Sequence, residues 1–305
     1  MVPMAQGGDG GGSIRVPSSN CGLFGIKVSR GRQPEPSLTP GDLAVRHVLT
    51  RSVRDSVAML QATALTPAEG SLLPPAVSPP GQPPRHLRIA YHTTDLAGEP
   101  SHPDCVAAVE SSARLCELLG HRVEEAKPKI DGQIFIDHFL VLWSAIPAMM
   151  LDLVTKQLGR PVPPNALEGW TWGLVDHYRK QPAGAVEAAE KYMQEVTREM
   201  ALFHELHDVV LSPVLSKPGV RTRELSSDLP FEELRERVVA YVSYTPVANA
   251  TGSPAMSVPL SWTAAGYPVG SHFSGRVGDE ATLFALAEQL EEARPWANRR
   301  PRVFG

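Results

Sequence analysis

The spacing of apolar and polar positions predicts strands and helices along most of the chain. The segment LRIAYH, residues 87–92, is typical of a short β-strand, and HRVEEA, residues 121–126, predicts a second one. Between them we expect a helix from an N-cap at Ser101 to Gly120, because apolar side chains recur at three- and four-residue spacing: Val106, Val109, Ala113 and Cys116. Two strands joined by such a helix predict a parallel pair with a right-handed crossover.

Similar patterns continue in the second half of the chain. A long amphipathic helix is predicted by one apolar face, made of Val186, Ala189, Met193, Val196, Met200 and Phe203. It leads into VVLSPVL, residues 209–215, which predicts a buried strand. Asp279 is a candidate N-cap for a helix that ends at Arg294 and carries three inward leucines: Leu283, Leu286 and Leu290. Strands that alternate with helices indicate an α/β protein.

Two segments set limits on these elements. Residues 67–84 contain seven prolines, which predicts a surface connector; a polyproline docking segment is the less favoured alternative. The longest apolar run, Phe139–Leu151, has thirteen residues and contains Pro147. Because a membrane-spanning helix needs roughly 20 apolar residues, we expect no contact with a membrane.

Composition narrows the functional classes. The 305 residues are 42% hydrophobic and 20% charged, as in a globular protein. The charge balance, 29 basic against 33 acidic residues, gives −4, so nucleic-acid binding is not expected. Three cysteines (Cys21, Cys105 and Cys116) argue against a disulfide framework, and we expect all three to be buried. The segment MVPMAQGG has no apolar region of a signal peptide, which favours a cytoplasmic protein.

The segment GGDGGGSIRVPSS, residues 7–19, is the main candidate for chemistry. Its glycines could bring main-chain N–H groups to a phosphate, but the Walker and GxGxxG patterns do not fit. They could instead form an oxyanion hole beside a nucleophilic Ser13. Arg15 breaks the GxSxG pattern, and Val16 stands where SxxK requires lysine. From spacing alone, a flexible glycine turn is the favoured interpretation.

Residues 7–32, GGDGGGSIRVPSSNCGLFGIKVSRGR, resemble the core motif of the amidase signature family. The positions that fit are Asp9, Gly11, Gly12, Ser13, Ile14, Arg15, Pro17, Cys21, Gly22, Gly25 and Lys27. Residues 244–270 and 275–296 resemble the C-terminal region of that family, and residues 207–215 resemble the strand before it. The resemblance implies an α/β fold in which helices flank a mixed β-sheet.

The resemblance also implies roles for individual residues. Ser13 would be the acylating nucleophile of an amide hydrolase that uses no metal or cofactor. The main-chain amides of Gly10, Gly11, Gly12 and Ser13 would form the oxyanion hole. Asp9 and Arg15 would form an ion pair that orients the loop. The partner would be a small-molecule amide, and a homo-oligomer is possible.

The general base of the family does not fit this sequence. In the family a lysine acts through a serine with a cis peptide bond, both well before the nucleophile, whereas Ser13 has only twelve residues before it. We therefore expect residues 1–305 to be a partial amidase domain that lacks the N-terminal part and loses most activity. Lys27 matches a family position that is not the base. The alternatives are a non-catalytic fragment and a glutamine amidotransferase A-type subunit.

Substrate specificity is expected to depend on residues 130–205, where the resemblance is weakest. Trp170, Trp172 and Met149 are the hypothetical lining of an apolar acyl pocket, with ordinary core packing as the alternative for Trp143 and Met149. SRGR, residues 29–32, differs from the tyrosine-containing stretch of the amidotransferase subunit. It is more similar to the group of 6-aminohexanoate cyclic-dimer hydrolases.

Overall fold

Strands and helices alternate along the computed structural model, which describes residues 2–34, 43–77 and 86–301. Within these residues the strands are β1 (Met4–Asp9), β2 (Phe24–Lys27), β3 (Val45–Thr50), β4 (Arg88–Tyr91), β5 (Arg122–Glu125), β6 (Val209–Pro213), β7 (Ala255–Trp262) and β8 (Pro268–Gly275). The α-helices are α1 (Arg15–Cys21), α2 (Val53–Thr63), α3 (Pro103–Leu118), α4 (Gly132–Leu158), α5 (Gly169–Arg179), α6 (Ala185–Leu206), α7 (Phe231–Tyr241), α8 (Pro246–Thr251) and α9 (Glu280–Ala293).

The strands form one mixed sheet in the order β1-β3-β2-β7-β8-β6-β4-β5. β4 is parallel to both β5 and β6, and the remaining neighbours are antiparallel. Helices α1, α2, α3 and α9 pack against this sheet. The predicted fold, an α/β protein with helices around a mixed sheet, is confirmed.

Two inner strands of the sheet, β2 and β6, are buried along their whole length, as expected of strands that are covered on both faces. Every residue of β2 and of β6 is buried, so neither strand shows the alternation of a half-exposed strand. The main core combines Phe24, Ile26, Met256 and Val258 of the sheet with Leu283 and Leu286 of α9. This core joins the N-terminal part of the chain to the C-terminal part, because β2 pairs with β7.

Most elements predicted from periodicity are confirmed. β4, α3 and β5 follow one another as expected, with the two strands parallel. The N-cap of α3 is His102, however, because the helix begins at Pro103; the Ser101 hydroxyl instead contacts the Tyr244 hydroxyl at 2.6 Å. Asp279 caps α9 as predicted, accepting a hydrogen bond from the Thr282 amide.

Helix α4 is longer than its apolar run suggested. It has 27 residues and continues through Pro147, with Ala145 and Ala148 buried on either side. By length and composition, α4 is able to cross a membrane, and it is the one such helix among the described residues. Half of its most apolar stretch is buried inside the protein.

Two smaller expectations have mixed outcomes. The described part of the 67–84 connector contains a single 3₁₀ turn, Pro67–Glu69, whose ends are closed by a capping box between Thr66 and Glu69. Residues 78–84 lie outside the described residues. Cys105 and Cys116 are buried, whereas the prediction for Cys21 was wrong, because this residue ends the short helix α1 at the surface.

Candidate active site

A short loop between β1 and α1 carries Ser13, and we call residues 10–14 the glycine loop. Asp9 is the last residue of β1, and its buried carboxylate folds the loop back on itself. It accepts hydrogen bonds from the main-chain amides of Gly12 at 2.8 Å, Ile14 at 3.2 Å and Arg15 at 3.4 Å. One carboxylate therefore sets the path of the backbone on both sides of Ser13.

Arg15 holds that carboxylate and uses every donor it has. Its Nε donates to Asp9 Oδ2 at 3.0 Å, and Nη2 donates to Asp9 Oδ1 at 2.9 Å and to Asn249 Oδ1 at 2.6 Å. Its Nη1 donates to the Thr245 carbonyl at 2.8 Å and lies 3.0 Å from His272 Nε2. A guanidinium has five N–H groups, so all of them have partners.

The charge state of this cluster follows from its contacts. Burial alone would raise the pKa of the Asp9 carboxyl, but the Arg15 charge and the hydrogen bonds from Arg15 and Asn249 hold that pKa well below its usual range. Because Arg15 can only donate, His272 Nε2 accepts, and its Nδ1 carries the proton toward Ser212 Oγ at 3.1 Å. Burial, followed by the Arg15 charge, lowers the pKa of His272 well below its ordinary value.

Ser13 stands at the surface of this buried cluster. Its side chain is exposed, and its amide and that of Gly11 have no acceptor among the residues that the structure describes. The Gly12 amide, by contrast, points to Asp9. Of the amides predicted for the oxyanion hole, Gly12 is therefore not a free donor, whereas Gly10, Gly11 and Ser13 remain candidates.

A glycine is required at position 12 for the backbone conformation of the loop, not for a free amide. Its φ of 137° is unfavourable for other residues, and a Cβ would lie 2.4 Å from Thr245 Oγ1. That hydroxyl cannot easily move, because it donates to the Gly11 carbonyl at 2.6 Å.

We expect Gly12→Ala to lower the free energy of unfolding by roughly 1–3 kcal/mol from backbone strain, and further from the clash. Gly11→Ala is the matched control, since its Cβ would meet Phe139 Cζ at an ordinary 3.6 Å. Urea unfolding of both variants measures the difference. Equal losses would contradict this role of Gly12.

A cavity of about 380 Å³ opens beside Ser13. One wall is the glycine loop with the start of α1. The other two are apolar stripes, of α4 (Ile136, Phe139, Leu140 and Trp143) and of α7 (Val238 and Val239, with Val242 at its C-cap). The α4 residues recur at three- and four-residue spacing, so they share one face of the helix.

Trp170, Trp172 and Met149 do not line this cavity, so the proposed pocket residues need correction. The Trp170 ring lies one layer further out, 5.8 Å from the Trp143 ring. Trp172 donates from Nε1 to the Pro164 carbonyl, and Met149 is on an exposed face of α4. Trp143 lines the cavity because it is seven residues after Ile136 on the same helix face.

Three residues of the cluster had no role in the sequence-based prediction. Thr245, Asn249 and His272 lie more than 200 positions from the glycine loop. Thr245 and Asn249 belong to the block of residues 244–270 that carried the resemblance, and His272 follows that block. Asn249 Nδ2 also donates to the Asp9 carbonyl at 2.9 Å and to the Leu43 carbonyl at 3.0 Å. For Asn249, the sequence offered one signal that could have been used: it is the lone amide side chain in PVANATG, a stretch of small residues.

The described residues do not supply an evident base. No side chain among them hydrogen-bonds Ser13 Oγ, and Lys27 is buried in β2 with its Nζ donating to the Val28 carbonyl at 2.9 Å. Within the same residues, no three His, Cys, Asp or Glu side chains group as metal ligands. The SRGR segment has a structural role, since Arg32 pairs with the buried Glu280 at 2.5 Å.

Comparison with known proteins agrees with this arrangement. Residues 1–284 match the protein family described as Amidase. The chain belongs to the amidase family. It is 39% identical to the protein AmiC of Mycobacterium leprae (strain TN), over 303 residues that make up 97% of this chain and 63% of AmiC. The chain thus spans just under two thirds of the length of that relative.

The chain is also similar to one further protein of known sequence and to two solved structures. It is 28% identical to the 6-aminohexanoate-cyclic-dimer hydrolase of Pseudomonas sp. (strain NK87), over 100% of this chain and 66% of that protein. The solved structure of 6-aminohexanoate cyclic dimer hydrolase with its substrate superimposes with a TM-score of 0.88 at 26% identity, covering 98% of this chain and 66% of the other. A bacterial aryl acylamidase of the amidase signature family has the same fold, with a TM-score of 0.82 at 22% identity over 98% of this chain and 65% of the other.

Proposed function

We propose that this chain carries the nucleophile, oxyanion hole and acyl site of an amide hydrolase that forms an acyl-Ser13 intermediate. The observation that supports this most is the position of Ser13. It is exposed at the mouth of an apolar cavity, beside two main-chain amides without an acceptor in the described residues, on a loop fixed by Asp9 and Arg15. Family membership and the similarity to 6-aminohexanoate-cyclic-dimer hydrolase, in sequence and in structure, agree with the proposal.

The proposed reaction has two steps. Ser13 Oγ attacks the amide carbonyl carbon, and the electron pair of the carbonyl moves to its oxygen, which the Gly11 and Ser13 amides stabilise. When the carbonyl re-forms, the C–N bond breaks and the amine leaves with the proton taken from the serine hydroxyl. Water then attacks the ester carbon, releasing the carboxylic acid and restoring the hydroxyl.

The proton acceptor is the component that these residues lack. A serine hydroxyl is a weak nucleophile unless a base is within hydrogen-bond reach, and the described residues place none beside Ser13. We therefore expect the 305-residue chain alone to acylate slowly. By analogy with triad deletions in serine proteases, acceleration over water would be on the order of 10³–10⁴-fold.

A fluorophosphonate probe tests this proposal directly. We expect it to modify Ser13, and to do so faster at higher pH, where more of the hydroxyl is ionised. Ser13→Ala should abolish labelling, while Ser71→Ala, on the connector, should not change it. Peptide mapping by mass spectrometry identifies the modified residue.

Other outcomes would favour the alternatives. Labelling at other residues, or none at any pH, would favour a non-catalytic member of the amidase family. Glutamine-dependent activity that appears only with partner subunits would favour an amidotransferase subunit.

A further inference from the structure

The cavity beside Ser13 has no charged lining. Its lining residues are glycines, Ser13, prolines, valines, Ile136, Phe139, Leu140 and Trp143, so no titratable side chain faces it among those that the structure describes. Among the described lining residues, the polar side-chain groups are the Ser13 hydroxyl and the indole N–H of Trp143. A charged group that entered this cavity would lose its hydration without gaining a partner, which costs several kcal/mol in proteins.

Charged residues of the same two helices lie toward other cavities. A neighbouring cavity of about 350 Å³ shares Ile136, Val239 and Val242 with the first one, but it is lined by Asp95, Arg235 and Glu236. A third cavity, of about 380 Å³, shares Leu140 and is lined by Asp137, His138, His177 and Arg235. Helix periodicity thus separates apolar from charged surfaces on both α4 and α7.

We propose that the acyl group of the substrate is uncharged and apolar, of aryl or medium-chain alkyl size, and that α7 determines this selectivity through Val238 and Val239. This inference rests on the proposed function, because it is Ser13 that identifies the cavity as the acyl site. The volume of about 380 Å³ is at the lower end for small-molecule sites and suits a single ring or a short chain.

The test compares two amides that differ mainly by a terminal charge. Hexanamide and 6-aminohexanamide have the same acyl chain length, but the second carries an ammonium at pH 7. We expect hexanamide to bind the unaltered chain at least about tenfold more tightly, given the desolvation cost of the ammonium. Isothermal titration calorimetry measures both affinities without requiring turnover. Equal affinities, or tighter binding of 6-aminohexanamide, would overturn the proposal.

A charge placed in the cavity should reverse the preference. Val239→Asp is expected to bring the two affinities to within a factor of about two or to favour 6-aminohexanamide, because the new carboxylate pairs with the ammonium. Ala240→Asp is the matched control, since Ala240 is exposed on the same helix and lines only the neighbouring cavity. An equal change in both variants would mean that the terminal ammonium of 6-aminohexanamide lies in the neighbouring cavity, and it would overturn the proposal. If Val239→Asp does not fold, the same two affinities are measured with Val238→Asp.

These outcomes separate the acyl site from the reaction. If the fluorophosphonate labels Ser13 but the two amides bind equally, the selectivity inference fails and the proposed function stands. If hexanamide binds selectively but Ser13 is never labelled, the cavity is an apolar ligand site and the proposed function fails.

Discussion

Replacing Arg15 by methionine is expected to lower the free energy of unfolding by about 3–5 kcal/mol, the usual cost of removing one partner from a buried ion pair. Arg15 and Asp9 are both fully buried, with 2.9 Å between Nη2 and Oδ1. Without the guanidinium, the Asp9 carboxylate would keep its bonds to loop amides and to Asn249 but would have no paired positive charge. The loop that carries Ser13 would then lose its main anchor.

Denaturant unfolding of Arg15→Met measures this loss. Arg54→Met is the matched control, because Arg54 pairs with Asp55 at the same 2.9 Å but is 85% exposed. The exposed pair should contribute at most about 1 kcal/mol. The double variant Asp9→Asn, Arg15→Met should recover part of the loss, since it leaves no unpaired buried charge. An Arg15→Met chain that unfolds within about 1 kcal/mol of the unaltered chain would contradict this account.

The local sequence was sufficient to predict many of the helices and strands and to identify the glycine loop. α3, α6 and α9 follow from apolar periodicity because each has one buried face, and Asp279 caps α9 as its residue type suggests. Asp9, Ser13 and Arg15 could be placed together because they lie within seven consecutive residues. Contacts between residues this close in the chain can be predicted from their spacing.

Contacts across the fold could not be predicted in this way. The cavity beside Ser13 combines the glycine loop with α4 and α7, and both helices begin more than 100 residues after that loop in the chain. Apolar side chains on such helices have the same pattern whether they line a cavity or fill a core, so Trp143 could not be distinguished from Trp170. For the same reason His272 and Asn249 remained unassigned, since only the sheet brings β8 and α8 to Arg15.

Helix α4 shows a second limit of reasoning from local rules. Pro147 lacks a main-chain donor, and proline usually kinks or ends a helix, yet the helix continues through it. The buried residues on both sides, Leu142, Ala145, Ala148 and Leu151 among them, pack tightly enough to keep the segment helical. Tertiary packing therefore outweighs the loss of one hydrogen bond.

Lys27 should make the stability of the fold depend on pH. It is fully buried in β2, and burial, followed by the nearby charge of Arg15, lowers its pKa to about 7, although Asp9 acts in the opposite direction. In the unfolded chain a lysine keeps a pKa near 10.5. Between these two values the unfolded state binds the additional proton, so stability rises with pH over this range. The cost of charging Lys27 is fully present below about pH 7 and disappears near pH 10.5.

Lys27→Met removes this dependence. Because one pKa unit corresponds to about 1.4 kcal/mol, we expect the variant to be more stable than the unaltered chain by several kcal/mol at pH 6, with the gap narrowing steadily toward pH 10. Other titrating groups are common to both chains, so the difference in unfolding free energy, measured in urea at each pH, isolates Lys27. Lys191→Met, at an exposed position of α6, should leave the profile unchanged. A gap that stays constant with pH would show that Lys27 keeps the same charge in the folded and unfolded states, and would contradict the lowered pKa.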